Sequence, residues 1–182
     1  GQYIPEYSIE WTEAHRYFNR LLSRSEINPN HVPHGAKGIF SARYWIFKFI
    51  RCNLMMPWLI QNFSISQPIY LIRNPYSVVS SQLKHIGWNQ KAKRDYSKGI
   101  VIPQFRYYHD FYEGYSKKFR AARSHEEILA LLWLMQNEYL INHRLHNKGW
   151  LTVAYEDMYN NSYSTLEDLF NKMNLDFNTI KT

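Results

Sequence analysis

The hydrophobic positions of this chain change period along its length, and the changes predict alternating strands and helices. Apolar runs without polar alternation predict strands that are covered on both faces, whereas apolar residues spaced three and four apart predict helices. The predicted strands are Tyr44–Phe49, Pro68–Arg73 and Leu151–Tyr155. The predicted helices are Glu10–Ser23, Leu54–Phe63, Tyr76–His85, Gln104–Tyr115, a long helix from Ser124 and a last one from Ser164 to Met173. This order predicts an α/β fold with a mostly parallel sheet flanked by helices.

Residues that favour helix ends stand at several of the predicted boundaries. Ser124 and Ser164 are each followed three residues later by glutamate, which is the pattern of a capping box. Pro75 precedes the helix that follows the second strand, and proline is favoured at the first helical position. Pro57 should lie in the first turn of its helix. Gly149 is predicted just past the end of the long helix.

Composition narrows the class of protein. A chain of 182 residues is large enough for one domain with a single core, so residues 1–182 are predicted to form one domain. The single cysteine, Cys52, excludes an intramolecular disulfide framework and a multi-cysteine zinc site. The net charge of +7 favours an anionic partner such as a nucleotide, a polyanion, nucleic acid or an acidic membrane. No apolar stretch approaches the roughly 18 residues of a membrane span, and no signal-peptide pattern is present.

The most informative segment joins the second predicted strand to the helix after it. Ligands of open α/β sheets bind outside the carboxyl ends of the strands, and Arg73 stands at such an end. Its guanidinium suits phosphate oxygens, and the N-terminus of the next helix should direct unpaired N–H groups to the same place. Ser81, eight residues later, would lie two turns into that helix. The alternative is a structural ion pair for Arg73 and a solvated helix position for Ser81.

The Arg-Asn-Pro-x-x-x-x-x-Ser pattern of Arg73–Ser81 resembles the 3′-phosphate signature of sulfotransferases that use PAPS (3′-phosphoadenosine-5′-phosphosulfate). The resemblance implies that Arg73 and Ser81 hold the 3′-phosphate of the nucleotide. Three further segments are similar to the family in order and spacing, so that the resemblance covers about residues 44–175. These are the lysine-ending strand Trp45–Phe49, the strand and Tyr-Glu-Asp stretch Leu151–Met158, and the helix Leu166–Phe170.

The resemblance implies a P-loop-like sulfotransferase architecture and transfer of a sulfuryl group to a hydroxyl or amine, with adenosine 3′,5′-bisphosphate as the product. The family's glycine-rich 5′-phosphosulfate loop is not visible. The nearest candidate, Gly35–Gly38, lacks a preceding strand and a following Ser or Thr, and is predicted to be a surface loop. We therefore expect a domain that is incomplete at its N-terminus. Lys48 would stabilise the leaving phosphate or the sulfuryl group, or else extend from a strand end into solvent. Ile50 stands where one branch has a histidine, which leaves the base unassigned.

Other polar residues have a structural and a functional interpretation. His85 and Trp88 follow the arginine-bearing helix and are candidates for an acceptor pocket, with packing over the helix end as the alternative for Trp88. Glu156 and Asp157 are expected in an extended stretch, pointing to opposite faces, which argues against a paired-carboxylate site. Tyr155 is a candidate core residue, and Asp157 a candidate cap. The histidines form no metal-ligand pattern, and no metal is expected.

Two further classes of function stay open. A degenerate sulfotransferase-like module would bind an anion or nucleotide, or pair with another chain, without catalysis. A nucleic-acid-binding domain is suggested only by the basic and aromatic segment Lys91–Arg123, which would equally form a lid over an acceptor or a solvated face with buried aromatics. No nucleic-acid motif supports that third class. We expect a cytoplasmic protein, with the Golgi lumen as the alternative.

Overall fold

The structure is a computed structural model that describes residues 3–9, 11–25, 37, 45–50, 52–85 and 109–180. Within these ranges lie seven α-helices and two strands. In chain order they are α1 (Thr12–Leu22), α2 (Met56–Asn62), β1 (Ile69–Ile72), α3 (Pro75–Lys84), α4 (His109–Ala121), α5 (His125–Ile141), β2 (Leu151–Ala154), α6 (Tyr155–Asn160) and α7 (Ser162–Lys172). Short 3₁₀ turns at Asn53–Met55 and Phe177–Ile180 precede α2 and follow α7. The α/β prediction is confirmed.

The two strands form a small parallel sheet. Ile69 lies opposite Leu151, and Ile72 lies opposite Ala154. Two of the predicted strands are therefore confirmed to within one residue at each end. The connection between them passes through α3, α4 and α5, as a parallel pair requires. Because the strands run in the same direction and in register, the residues that follow each strand meet at one edge of the sheet.

The two faces of β1 differ in burial. Tyr70 is buried against Leu140 and Trp150, which form one core cluster with the helical layer. Ile69 and Leu71 point to the other face and are 43% and 52% exposed. The expectation of cover on both faces is therefore wrong for β1, because the helices of the described chain that contact this strand pack on the Tyr70 side.

The predicted strand at Tyr44–Phe49 is also wrong for its described part, residues 45–49, which have no ladder partner. The rings of Trp45, Phe47 and Phe49 stack on one another at centroid distances of 6.4 and 6.5 Å. Phe49 also packs on Phe18 of α1, at 5.7 Å. Ile46, on the opposite side of this extended segment, is 93% exposed. The alternating aromatic side chains thus pack by stacking on one face of the segment, and no sheet is needed to cover them.

The predicted helices in the first half of the chain are confirmed with small shifts at their ends. The apolar face of α1 and the side chains of α2 form a core of large buried residues, namely Ile4, Phe18, Trp58, Leu59 and Phe63. Pro57 lies in the first turn of α2, as predicted. The helix predicted over Gln104–Tyr115 is α4, which extends further, to Ala121; residues 104–108 lie outside the described ranges.

Of the two predicted capping boxes, the one at Ser124 is present in its serine half, with the glutamate bond shifted to Arg123, and the one at Ser164 is absent. The Ser124 hydroxyl accepts a hydrogen bond from the Glu127 N–H at 3.2 Å, and the Glu127 carboxylate accepts one from the Arg123 N–H. In contrast, α7 begins at Ser162, so that Ser164 already lies inside the helix and donates to the Asn161 carbonyl at 3.2 Å. That second prediction is wrong because α7 restarts directly after α6, upstream of the serine.

The prediction for Gly149 is wrong as well. The long helix α5 ends at Ile141, and a run of turns separates it from the glycine. The Gly149 N–H donates to the Leu145 carbonyl at 2.8 Å, so the glycine closes one of those turns just before β2. A Cβ at this position would approach the Leu145 Cβ to 3.1 Å, which explains why a small residue is needed there.

The caps provide a first test of these helix starts. Ser124→Ala should lower the free energy of unfolding by about 1 kcal/mol, because it removes the side-chain acceptor for the Glu127 N–H. Ser164→Ala is the matched control and should cost less than about 0.5 kcal/mol, since Ser164 is exposed and caps no N–H group. Urea unfolding of the two variants measures the difference. Equal losses would show that Ser124 does not act as a cap.

Candidate functional site

Four residues that directly follow β1 and β2 lie close together at the carboxyl ends of the two strands. Arg73 and Asn74 follow β1, whereas Tyr155 and Glu156 follow β2. The Glu156 carboxylate oxygen Oε1 accepts a hydrogen bond from the Asn74 N–H at 3.1 Å. The Arg73 guanidinium carbon lies 4.9 Å from the centroid of the Tyr155 ring. This strand-end edge, defined by these four residues, is the candidate functional site.

Arg73 is the positive group of the strand-end edge. Its side chain is exposed and stacks on Tyr155, an arrangement that holds a planar cation over an aromatic face. No carboxylate of the described residues lies within 4.0 Å of it, so these residues give no support to a structural ion pair for Arg73. Tyr155 is 41% exposed, which makes the interpretation of this tyrosine as a core residue wrong. It forms a support for the guanidinium.

The N-terminus of α3 was predicted to direct unpaired N–H groups to the site, and its first N–H groups are instead absent or already bonded. Pro75, the first residue of the helix, has no N–H. The Asn74 side chain accepts a hydrogen bond from the Tyr76 N–H at 2.9 Å and so caps the helix. The Asn74 N–H is bonded to Glu156. Because the chain's own side chains satisfy these donors, attraction of an anion to this edge rests mainly on the Arg73 charge.

The structure places the other predicted site residues as follows. Ser81 is exposed on α3, six residues after Pro75, and so lies about 9 Å along the helix axis from the first residue of α3. His85 is exposed at the end of α3, where its N–H donates to the Gln82 carbonyl at 3.1 Å. Lys48 is exposed on the extended segment beside α1. Trp88 and the loop Gly35–Gly38 lie outside the described residues, apart from Lys37.

Lys48 lies on a segment that makes no described contact with the strand-end edge. Its segment is anchored to α1 through the stacking of Phe49 on Phe18. Among the described residues, no hydrogen bond, ion pair or ring contact joins this segment to Arg73. The sequence placed both residues at strand ends of one sheet, and the missing strand removes the reason for their proximity. The candidate site of the described residues is therefore built on Arg73 without Lys48.

Glu156 and Asp157 do not lie in an extended stretch, so that prediction is wrong. Both residues are in the first turn of α6, which starts directly after β2. Glu156 reaches back to the Asn74 N–H. The Asp157 backbone carbonyl accepts hydrogen bonds from the Asn161 N–H at 2.8 Å and from the Thr165 hydroxyl at 3.1 Å. These bonds give Asp157 a structural role at the junction of α6 and α7.

Two residues of α5 that the sequence analysis did not assign to the site hold it from the helical side. The Trp133 indole N–H donates to the Arg73 carbonyl at 3.1 Å. One turn later, the buried Asn137 side chain accepts from the Tyr70 hydroxyl at 2.5 Å. Burial raises the pKa of Tyr70 well above the usual range of a phenol, so this hydroxyl remains a donor. Polar groups four residues apart in an apolar helix are the pattern that would have found them.

The aromatic residues of α4 are core residues. Tyr112, Tyr115 and Phe119 are buried against Met135 of α5. Their rings are therefore not available as a stacking surface for bases. For the described part of the segment Lys91–Arg123, this supports the structural interpretation over nucleic-acid binding; residues 91–108 lie outside the described ranges.

An open apolar groove of about 790 Å³ lies next to the strand-end edge. Its floor is α5, and its sides are α3 and α4. Tyr76, Val79, Leu131 and Trp133 are among its lining residues. Trp133 thus borders the groove with its ring while its indole N–H reaches the Arg73 carbonyl.

Titratable groups elsewhere in the described chain do not assemble into a metal site. No group of three or more His, Cys, Asp or Glu side chains in the described ranges has a metal-binding arrangement. His143 lies 3.6 Å from the buried carboxylate of Glu6, and Arg144 also contacts Glu6. Burial lowers the pKa of His143, and the Arg144 charge acts in the same direction, whereas the Glu6 charge opposes it. This cluster ties the N-terminal segment to the end of α5.

Comparisons of the chain with protein-family models, with curated proteins and with solved structures give no match. None of the described helices is both long and apolar enough to cross a bilayer. The strand-end edge and the sequence motifs are therefore the features that bear on function.

Proposed function

We propose that this chain is a sulfotransferase domain of P-loop-like architecture that moves a sulfuryl group from PAPS to a hydroxyl or amine. The observation that carries the proposal is the exposed Arg73 guanidinium at the carboxyl end of β1, stacked on Tyr155 and without a carboxylate partner among the described residues. A strand-end arginine of this kind suits the oxygens of a phosphate. The Arg-Asn-Pro-x-x-x-x-x-Ser motif supplies the assignment to the 3′-phosphate.

In this proposal, Arg73 and Ser81 bind the 3′-phosphate and fix the nucleotide on the edge of the sheet. PAPS supplies the activated sulfuryl group: a bond forms between sulfur and the acceptor oxygen or nitrogen, and the bond from sulfur to the 5′-phosphate oxygen breaks. Lys48 is the candidate for stabilising negative charge on the leaving phosphate or on the sulfuryl group. The Glu156 carboxylate holds the Asn74 N–H at the same edge.

A module that binds the nucleotide without catalysis is the second candidate. It is favoured by the occupied N–H groups at the start of α3, where Asn74 and Glu156 already satisfy the donors that a phosphate would use. Binding alone does not separate the two functions. Release of adenosine 3′,5′-bisphosphate from PAPS in the presence of a mixture of phenolic, sugar and amine acceptors would support catalysis, whereas tight binding without turnover would support the module.

Calorimetric titration of adenosine 3′,5′-bisphosphate tests the nucleotide site. Arg73→Ala should weaken binding at least tenfold, because a charged hydrogen-bonding group contributes about 1.5–3 kcal/mol. Arg120→Ala removes another exposed arginine, on α4, and is the matched control, for which we expect less than a twofold change.

Equal affinities of the two variants would show that any binding is a general effect of the positive net charge, and would exclude the Arg73 site. The absence of binding by the folded parent chain would likewise contradict the proposal. Circular dichroism of each protein confirms that the comparison is made between folded chains.

A further inference from the structure

The helix α5 is apolar around most of its circumference, and this makes its few polar contacts informative. A helix of this kind is normally held by packing alone. Yet two side chains on one stripe, Trp133 and Asn137, direct hydrogen-bonding groups at β1. Burying a polar group is favourable only when its hydrogen bonds are satisfied, so such groups fix how two elements are placed relative to each other.

Asn137 locks the register between α5 and β1. Its side chain is 7% exposed, and its oxygen accepts hydrogen bonds from the Tyr70 hydroxyl at 2.5 Å and from the Asn53 amide at 3.3 Å. Its amide nitrogen donates to the Trp133 carbonyl at 2.6 Å. A shift of α5 along β1 would break the bond from the Tyr70 hydroxyl, whereas the bond to the Trp133 carbonyl lies within α5 and orients the Asn137 side chain. The position of Trp133, one turn away, is therefore fixed relative to the end of β1.

The peptide unit that joins Arg73 to Asn74 is held on both sides. Its carbonyl, that of Arg73, accepts a hydrogen bond from the Trp133 indole N–H at 3.1 Å. Its N–H, that of Asn74, donates to the Glu156 carboxylate at 3.1 Å. The ladder with β2 ends at Ile72, so this peptide lies beyond the sheet. Side chains from α5 and α6 thus form the hydrogen bonds to this peptide that a neighbouring strand forms to the peptides of β1.

We propose that Trp133 and Glu156 are positioning residues that clamp the Arg73–Asn74 peptide and thereby aim the Arg73 guanidinium at its anion. This inference rests on the proposed function, because it concerns the same nucleotide site. An exposed arginine on an unrestrained peptide loses conformational freedom when it binds a phosphate, which weakens binding. A clamped peptide has lost part of that freedom in advance. The clamp acts on the 3′-phosphate only, and leaves contacts with the rest of the nucleotide unchanged.

The test compares two nucleotides that differ in the 3′-phosphate, adenosine 3′,5′-bisphosphate and adenosine 5′-monophosphate. The ratio is the dissociation constant of the monophosphate divided by that of the bisphosphate. It measures the contribution of the 3′-phosphate alone. Trp133→Phe keeps an aromatic ring and removes the N–H donor, so we expect this ratio to fall about fivefold, the loss typical of one neutral hydrogen bond.

Trp58→Phe is the matched control. It removes an indole N–H that donates to the Ser8 carbonyl at 3.0 Å, in the core cluster of α1 and α2 and away from Arg73. It should lower thermal stability and leave the ratio unchanged. An equal fall of the ratio in both variants would reduce Trp133 to a merely structural residue and overturn the inference.

Glu156 provides the second arm, independent of any effect of Trp133 on packing. Glu156→Gln retains an oxygen that can accept from the Asn74 N–H and removes a negative charge, so the ratio should stay the same or rise. Glu156→Ala removes the charge and the acceptor, and should give a lower ratio than Glu156→Gln. Equal ratios for the glutamine and alanine variants would contradict the clamp.

The two proposals fail in different ways. A folded parent chain that binds the bisphosphate and the monophosphate equally would overturn the proposed 3′-phosphate site and the clamp with it. A parent chain that distinguishes the two nucleotides, together with Trp133 and Glu156 variants that distinguish them equally well, would retain the site and exclude the clamp.

Discussion

Trp58→Ala should lower the free energy of unfolding by about 3–5 kcal/mol, which is typical of a large aromatic residue removed from a core. Trp58 is 1% exposed and is the centre of the cluster formed by α1 and α2. Its ring lies 6.1 Å from that of Phe18 and 5.6 Å from that of Phe63. The substitution leaves a cavity among these rings and also removes the indole N–H that donates to the Ser8 carbonyl.

Urea unfolding followed by circular dichroism measures this loss. Trp58→Phe separates the two contributions, since it removes the hydrogen bond and keeps most of the packing; we expect it to cost about 1–2 kcal/mol. A loss below about 1 kcal/mol for the alanine variant would show that α1 and the N-terminal segment do not pack on α2 in solution.

Raising the pH above 10 should destabilise the fold by several kcal/mol, through buried tyrosines. Burial raises the pKa values of Tyr70, Tyr115 and Tyr139 above the usual value, and the Glu138 carboxylate adds to this for Tyr115. Burial acts on Tyr112 in the same direction. The unfolded chain loses phenol protons near pH 10 while the folded chain keeps them. Stability is therefore fully present below pH 10 and falls by about 1 kcal/mol per tyrosine over the next pH unit.

Unfolding curves in urea between pH 8 and 11 give this dependence. Tyr70→Phe removes one of the buried phenols and should reduce the slope above pH 10, whatever it does to stability at pH 8. Tyr159→Phe, at a position that is 79% exposed, should leave the slope as it is in the parent chain. An unchanged slope for Tyr70→Phe would mean that the phenol of Tyr70 ionises in the folded chain as readily as in the unfolded one.

The elements predicted correctly from the sequence are those in which the local hydrophobic pattern and the tertiary packing favour the same secondary structure. The apolar runs at residues 69–72 and 151–154 form a parallel pair, and the periodic segments around Phe18, Trp58 and Leu140 form helices that bury these three side chains. The resemblance to sulfotransferases is carried by the sequence motifs alone and stays a prediction. The local predictions that are wrong, at Ser164 and at Gly149, concern helix ends, where one neighbouring turn decides which residue takes the cap.

The candidate site was found in part. The pattern of Arg73, Asn74 and Pro75 predicted a strand, a turn and a helix, and these elements are present. Lys48 was expected at the same edge because an apolar aromatic run was interpreted as a strand. The rings of such a run are buried either in a sheet or by stacking on one another and on a helix, as here. Periodicity does not distinguish these two outcomes.

The sequence by itself determined the two strand segments and the positive group at the end of the first, because both depend on residues close together in the chain. The alternation of strands with helices determined the α/β class. Only the tertiary structure decided what surrounds the positive group. Trp133 and Glu156 lie 60 and 82 residues from the groups that they contact, and no local pattern encodes such a distance. The contacts arise because parallel strands align their carboxyl ends and because α5 is held in register by Asn137.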